Sequence, residues 1–327
     1  MKVLVTGATG YIGSHTAAEL HRRGHEVRVL ARNPARVGPT LAALGAEAET
    51  AAGDMTDRAA VTEALRGCQA VVHAAGEVGV AKGTGATGGA NLEGVRTVIG
   101  GAVQAGLDPI IYTSTVEAYL PSTDPVITPA TPLATPLSSY GVSKRDAELL
   151  VRQWQDEGAP IATFTLGAVY GPISPHFQAG FIALLSALET AMLVPDGGLG
   201  VIDVRDLAIM FAQALQPGRG PRRYLAGGRF VTWAEWTEAV AAAAGKDILS
   251  RKVSSEDLID LGRKCDAMRA RGEEAPPLSE EAAIIMTSGT PTDDSATLAD
   301  LDCTRRPIAD TFRDTVDWLR EVGRLAP

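Results

Sequence analysis

Short apolar runs alternate with stretches of helical spacing through the first half of the chain. Lys2–Thr6 is an apolar run that ends in glycine-rich sequence, and Ile12–Arg23 reads as a helix. Glu26–Ala31, centred on Val27, Val29 and Leu30, predicts a second strand. Ala35–Leu44 follows as a helix, Glu47–Ala51 as a weak strand, Ala59–Leu65 as a helix and Ala70–Ala74 as a fourth strand. Leu92, Val95, Val98, Ile99 and Val103 stripe a helix over Asn91–Ala105. Pro109–Ser114, Ser139–Glu157 and Ile161–Leu166 complete the series as strand, helix and sixth strand. The strands are apolar runs more than clean alternations, the pattern of a parallel sheet covered on both faces.

The regularity breaks near residue 170. Pro172, Pro175 and the turn Asp196-Gly197-Gly198 separate shorter elements. Helices are expected at Val204–Leu215, at Trp233–Ala244 behind Thr232, and at Thr311–Val322. Ser254–Ala299 is the least readable stretch, expected as a mobile or irregular excursion or a substrate lid. Residues 1–170 are therefore assigned mainly to one domain. Residues 171–327 form mainly a smaller lobe, with some segments returning to the first domain.

Composition removes whole classes of function. The 327 residues carry a net charge of -9, from 39 acidic and 30 basic residues, which argues against a nucleic-acid partner. Cys68, Cys265 and Cys303 form no ligand cluster, and no His-Glu-x-x-His pattern is present, so no metal is expected. The chain enters a strand and a glycine turn directly, unlike a secretory peptide, and no run is apolar enough to cross a membrane. A cytoplasmic protein acting on a small-molecule substrate is the expectation.

Two patterns carry chemistry. Gly7-x-x-Gly10-x-x-Gly13 lies between a strand and a helix, the setting in which such a loop receives a dinucleotide pyrophosphate at the helix N-terminus. The second strand ends in Ala31-Arg32 where an acidic residue would hold ribose hydroxyls. Arg32 can instead pair with a 2'-phosphate, so NADP(H) is favoured, with NAD(H) possible and Arg36 a weaker second contact. Asp54, followed by Met55, is placed to accept from the adenine amino group or to cap the next helix. Ala74-Ala75-Gly76 lets the chain run close to the cofactor.

Tyr140 and Lys144 share one helix face. An ammonium and a nicotinamide cation favour the phenolate, so Tyr140 could serve as acid or base, and Lys144 could also hold ribose. Thr115 near the end of the fifth strand could orient a substrate oxygen beside Tyr140. His176 and Trp233 are possible pocket residues, each read first as structural or solvent-facing.

The combined pattern resembles the extended short-chain dehydrogenase/reductase family, the NAD-dependent epimerases, dehydratases and dihydroflavonol-reductase-like enzymes. The resemblance rests on the glycine motif, on Tyr112-Thr-Ser-Thr-Val-Glu-Ala-Tyr119, on Tyr140-x-x-x-Lys144, on Val169-Tyr-Gly-Pro172 and on Val204-Arg-Asp206. It implies a Rossmann-type doubly wound parallel sheet with a smaller C-terminal substrate lobe. Thr115, Tyr140 and Lys144 take the family's catalytic positions, with Ser114 as fallback for the hydroxyl. Gly7, Thr9, Gly10, Tyr11, Ile12, Gly13 and Val169 are expected along the cofactor. A homodimer through helices near 91–105 and 139–157 is also implied.

The sequence departs from the family at Thr165-Leu-Gly167, in the glycine-rich stretch Gly76–Gly89 around Lys82, and over Ser254–Ala299. Arg205, Arg219, Arg222 and Arg223 are the cations available for a diphosphate. The expected activity is NADP(H)-dependent interconversion of a carbonyl and a secondary alcohol. The alternatives are a nucleotide-sugar epimerase or dehydratase, with Glu117 as a nearby carboxylate, and a non-catalytic dinucleotide sensor.

Overall fold

Side chains on a strand alternate between faces, and here both faces are apolar. Val3 and Val5 lie in one core cluster and Leu4 in another, and all three are fully buried. The structure, a computed structural model, describes residues 1–77 and 88–326. Its strands are β1 (Lys2–Thr6), β2 (Glu26–Ala31), β3 (Glu49–Ala52), β4 (Ala70–His73), β5 (Ile110–Thr115) and β6 (Ile161–Leu166). They continue as β7 (Ala168–Tyr170), β8 (Met192–Val194), β9 (Gly198–Asp203), β10 (Arg222–Ala226), β11 (Arg229–Thr232) and β12 (Ser250–Lys252).

The main sheet has the order β10-β6-β5-β4-β1-β2-β3, and every pairing in it is parallel. This is the expected Rossmann-type sheet, extended at one edge by β10 from the second half of the chain. Helices Tyr11–Arg22 and Val204–Ala214 cover the Val3 face, together with Phe164 and Phe211. Helices Arg58–Leu65 and Ser139–Asp156 and the helical run 88–104 cover the Leu4 face. That run widens into a π-helix at Val95–Ile99, where a regular helix was expected.

Strands β7, β8, β9, β11 and β12 with helices Ala179–Glu189, Trp233–Ala244 and Ile308–Glu321 build a separate lobe. Its sheet is β11-β9-β7, and its core is aromatic, with Tyr170, Phe181, Trp233, Trp236, Phe312 and Trp318. Trp233 is therefore a core residue of this lobe.

The expectation of irregular structure at Ser254–Ala299 is corrected. That stretch contains helices Ser255–Ala270, Glu280–Ser288 and Ser295–Asp300. Ser254 and Ser279 cap the first two, accepting from Asp257 and Ala282 at 3.1 and 3.0 Å. The first buries only Leu258, Gly262 and Cys265, a stripe too narrow to stand out among its charges. A side chain on Gly262 would meet the Ser279 carbonyl, so the two helices join by close backbone approach instead of large apolar residues. The segment is also tied to its surroundings. Trp233 Nε1 donates to the Met286 carbonyl at 2.7 Å, and Ile127 exchanges backbone bonds with Pro291 and Asp293 at 2.8 and 2.9 Å.

Candidate active site

All seven parallel strands point their C-terminal ends to one edge, where the loops after β1, β4 and β5 meet. Gly7 has φ +79, and a Cβ there would stand 2.6 Å from the Ala75 nitrogen and 2.7 Å from the Ala74 carbonyl. Gly13 lies against the Gly7 backbone, where a Cβ would overlap it. These contacts close the loop over the start of helix Tyr11–Arg22. Gly10 begins that helix with no side-chain cap and no acidic residue in its first turn. Backbone N–H groups left open at a helix start, lined by residues without side chains, fit an anionic diphosphate.

Tyr11 contributes backbone to this cradle, while its side chain turns away. The buried phenol donates to the Gly171 carbonyl at 2.7 Å. His15 Nε2 meets the Ile173 carbonyl at 3.0 Å, and His176 lies 3.2 Å from Arg36. Segment 171–176, which includes His176, therefore lies against the glycine-loop side. Asp54 Oδ1 accepts from Thr56 N and Oγ1 at 2.8 and 2.7 Å, bonds that hold its carboxyl below the usual range. The cap of the next helix expected of it is made instead by Asp57, which accepts from the Ala59 and Ala60 N–H groups. Met55 packs against Gly94.

At the other end of the cleft, Thr115 closes β5 and helix Ser139–Asp156 begins beside it. Tyr140 has the Thr115 hydroxyl as a neighbour that favours its ionisation. Its phenol is nonetheless pushed well above its ordinary value, by burial first and by the Glu117 charge second. The protein alone thus holds Tyr140 as the neutral phenol. Lys144, one turn on, donates to the Thr113 carbonyl at 2.8 Å and lies 5.2 Å from the Tyr112 ring centre. Burial lowers its ammonium to about 8, opposed by Glu148.

Three functional candidates escaped the sequence reading. Glu148 is 1% exposed and accepts from Ser114, from Tyr119 at 2.9 Å and from Arg152 at 2.8 Å. Ser114 is thereby committed to Glu148, which leaves Thr115, whose Oγ1 accepts from the Glu117 N–H at 3.3 Å, as the hydroxyl with its O–H still to donate. Asn91 holds both backbone groups of Glu77 at 2.8 and 3.0 Å and donates to Ser143 at 3.1 Å, fixing the chain beyond Gly76 to the Tyr140 helix. A polar residue on a buried helix face was the available signal in both cases. Glu281 accepts from Ser139 Oγ at 3.0 Å and from Tyr140 N at 3.1 Å, and nothing local in the sequence pointed to it. Most of the stretch Gly76–Gly89, with Lys82, lies outside the described residues.

The model of the NAD dependent epimerase/dehydratase family matches residues 3–227. The chain belongs to this family. Its fold and family are those of an NAD(P)-dependent enzyme of the extended short-chain dehydrogenase/reductase type. Among curated relatives, this epimerase/dehydratase family member is 24% identical to sterol demethylase protein B of Methylococcus capsulatus, over 99% of the chain and 100% of that protein. It is 28% identical to 2-alkyl-3-oxoalkanoate reductase of Stenotrophomonas maltophilia, over 85% and 87%. A solved UDP-glucose-4-epimerase from Stenotrophomonas maltophila, with NAD and formylated UDP-arabinopyranose bound, superposes with a TM-score of 0.79. Its identity is 21%, over 99% of both chains.

The expectation of NADP(H) is corrected. Arg32 is exposed and has the Asp54 carboxylate 3.7 Å from its Nε as a weak counter-ion. Six similar solved structures contain NAD. The diphosphate cations named from the sequence are engaged elsewhere. Arg205 is paired with Asp203 and Asp314 at 2.8 Å, Arg219 with Asp300 at 2.5 Å and Arg223 with Asp156 at 3.4 Å. Arg222 and Arg223 begin β10, at the sheet edge opposite the cleft. Among the described residues, no group of acidic, histidine or cysteine side chains could hold a metal, and no helix is long and apolar enough to cross a membrane.

Proposed function

We propose that this protein is an NAD(H)-dependent enzyme of the nucleotide-sugar epimerase/dehydratase type, acting at a carbon that bears a hydroxyl or carbonyl oxygen. The carrying observation is that the Tyr140 helix packs against the end of β5, with Lys144 donating to the Thr113 carbonyl and Thr115 beside Tyr140, at the same strand edge as the glycine cradle. Bound NAD would take a hydride from that carbon and return one within the same cycle. Thr115 orients the substrate oxygen, Tyr140 takes up and returns its proton, and Lys144 supports the ionised tyrosine and a ribose. Gly7, Thr9, Gly10, Ile12, Gly13 and the Tyr11 backbone face the pyrophosphate. Asp54 and Met55 border the adenine, and Ala74, Ala75, Gly76 and Val169 run along the remainder of the cofactor.

The test is direct. Purified protein is checked for retained NAD, then incubated with UDP-glucose and dTDP-glucose, and the products are followed by NMR. An epimerised or dehydrated sugar without net NADH formation is expected. No conversion of either sugar, with carbonyl reduction that consumes NADH, would overturn this reading in favour of a second one.

That second reading is net carbonyl reduction. It is favoured by the pairing of Arg205, Arg219 and Arg223 with carboxylates. The similarity to a reductase over most of both chains points the same way. We also propose a homodimer through helices 88–104 and Ser139–Asp156. Leu149, on the second of these, is 52% exposed, and light scattering reads the mass.

A further inference from the structure

We propose that Glu148 is a positioning residue for the reaction: one buried carboxylate fastens the chain on both sides of Thr115 and so holds the Thr115 hydroxyl at the reacting oxygen. The proposal deepens the reading above, and rests on Thr115 orienting that oxygen.

Glu148 lies one turn beyond Lys144 on helix Ser139–Asp156 and is 1% exposed. Its two oxygens serve two different places in the chain. Oε2 accepts from the hydroxyl of Ser114, the residue immediately before Thr115. Oε1 accepts at 2.9 Å from the phenol of Tyr119, at the far end of the turn Val116–Tyr119. Thr115 caps that turn, with its Oγ1 accepting from the Glu117 N–H. The capping hydroxyl thus sits between two points tied to one carboxylate. Lys144 adds a further tie just upstream, donating to the Thr113 carbonyl. A Cβ on Gly141 would be 3.2 Å from the Glu117 carbonyl, so the turn also lies against the first turn of the Tyr140 helix.

Arg152 completes the unit. Its Nε and Nη2 donate to Glu148 Oε1 at 3.1 and 2.8 Å, and Nη2 donates to the Tyr119 oxygen at 2.6 Å. The Tyr119 phenol therefore donates to the carboxylate and accepts from the guanidinium, which sets its direction from both sides. The guanidinium also lies 5.6 Å from the Tyr119 ring centre.

Stability alone does not call for this arrangement. A buried ion pair is costly to desolvate, and apolar residues of similar volume commonly stabilise a core as well. Val151, on the same helix, does pack into the apolar core. What the carboxylate adds is direction, because hydrogen bonds to both of its oxygens fix angles that apolar contacts leave loose. Successive side chains on a strand point to opposite faces of one backbone. Holding Ser114 against the helix therefore sets the angle at which Thr115 leaves the other face.

The experiment uses NAD-loaded full-length protein and UDP-glucose, with turnover followed by NMR. Tyr119→Phe removes one tie and Glu148→Gln alters both, each made in the native chain and in Thr115→Val. In the native background kcat should fall about 10-fold or more in Glu148→Gln and about 3-fold or more in Tyr119→Phe. KM and NAD affinity should stay within about 2-fold. In the Thr115→Val background the further loss should shrink to about 2-fold or less, since the residue acted upon is gone. Unchanged kcat, a loss carried by KM, or equal losses with and without Thr115 overturns the proposal. A second measurement needs no substrate. The Glu117 amide, which donates to Thr115 Oγ1, should speed its hydrogen exchange in Tyr119→Phe by at least about 10-fold more than the amides of β1 do. Equal changes overturn the tie. If the native chain leaves UDP-glucose unconverted and the Glu117 amide still responds, the tie stands and the nucleotide-sugar reading falls.

Discussion

At the cofactor end of the cleft, Gly7 and Gly13 bring two loop backbones together without a charged group. At the substrate end, Glu117, Tyr140, Lys144 and Glu281 draw ionisable groups from three separate segments into one neighbourhood. The first end works by steric fit, in which a single methyl group is too large. The second works by electrostatics, in which burial decides the protonation state of each group. Such a division predicts that mutations at the two ends fail differently: geometry fails abruptly and with the fold, while chemistry fails at turnover with the fold intact.

Gly7→Val gives the largest expected effect. It places a β-branched residue at φ +79 against Ala75, so NAD binding should be lost, and urea denaturation should show more than about 3 kcal/mol of destabilisation. Normal NAD titration by this variant would break the steric half of the comparison. Tyr140→Phe should lower turnover about 100- to 10,000-fold while NAD affinity and melting temperature hold. Full activity in that variant sinks the proposed proton transfer. Glu148→Gln tests the footing of the substrate end. Leaving the partly buried Arg152 without its anion should cost about 3 kcal/mol, read by chemical denaturation.

A pH series sharpens the electrostatic half. Glu117 titrates at about 7 in the fold, against an ordinary value of 4.5, so the folded state holds the extra proton between these limits. Stability conferred by this group is present below pH 4.5, declines as pH rises to about 7, and changes no further above it. The melting temperature of the native chain relative to Glu117→Gln should therefore fall across that window, and a flat difference would argue against a buried carboxyl. The smallest effect is expected at Arg32→Ala. Its pair with Asp54 is exposed, so stability should change by less than about 1 kcal/mol, with NAD affinity retained. A large loss of NAD binding there would return Arg32 to the cofactor site.

Legibility in the sequence follows the same boundary. The strands β1, β2, β4, β5 and β6 were readable because consecutive apolar residues record burial on both faces. The glycine motif was readable because a helix start and a close backbone approach have fixed local spacing. Thr115, Tyr140 and Lys144 could be named from a family pattern, but their electrostatics could not. Lys144 was expected to ease Tyr140 toward phenolate, whereas burial and Glu117 oppose it in the protein alone. Arg32 misled because its counter-ion Asp54 lies on the next strand's loop, far along the chain. The late excursion was opaque because its helices meet through Gly262 and backbone instead of a broad apolar stripe.

The sequence by itself determined the parallel sheet, the glycine turn after β1 and the family to which the chain belongs, since each is recorded in spacings of a few residues. Only the tertiary structure decided which cations are already paired, that Ser114 is held by Glu148, and that Glu281 arrives at the start of the Tyr140 helix. Charge pairing and desolvation depend on distance through space, and residues 117, 140 and 281 become neighbours only when the chain has folded.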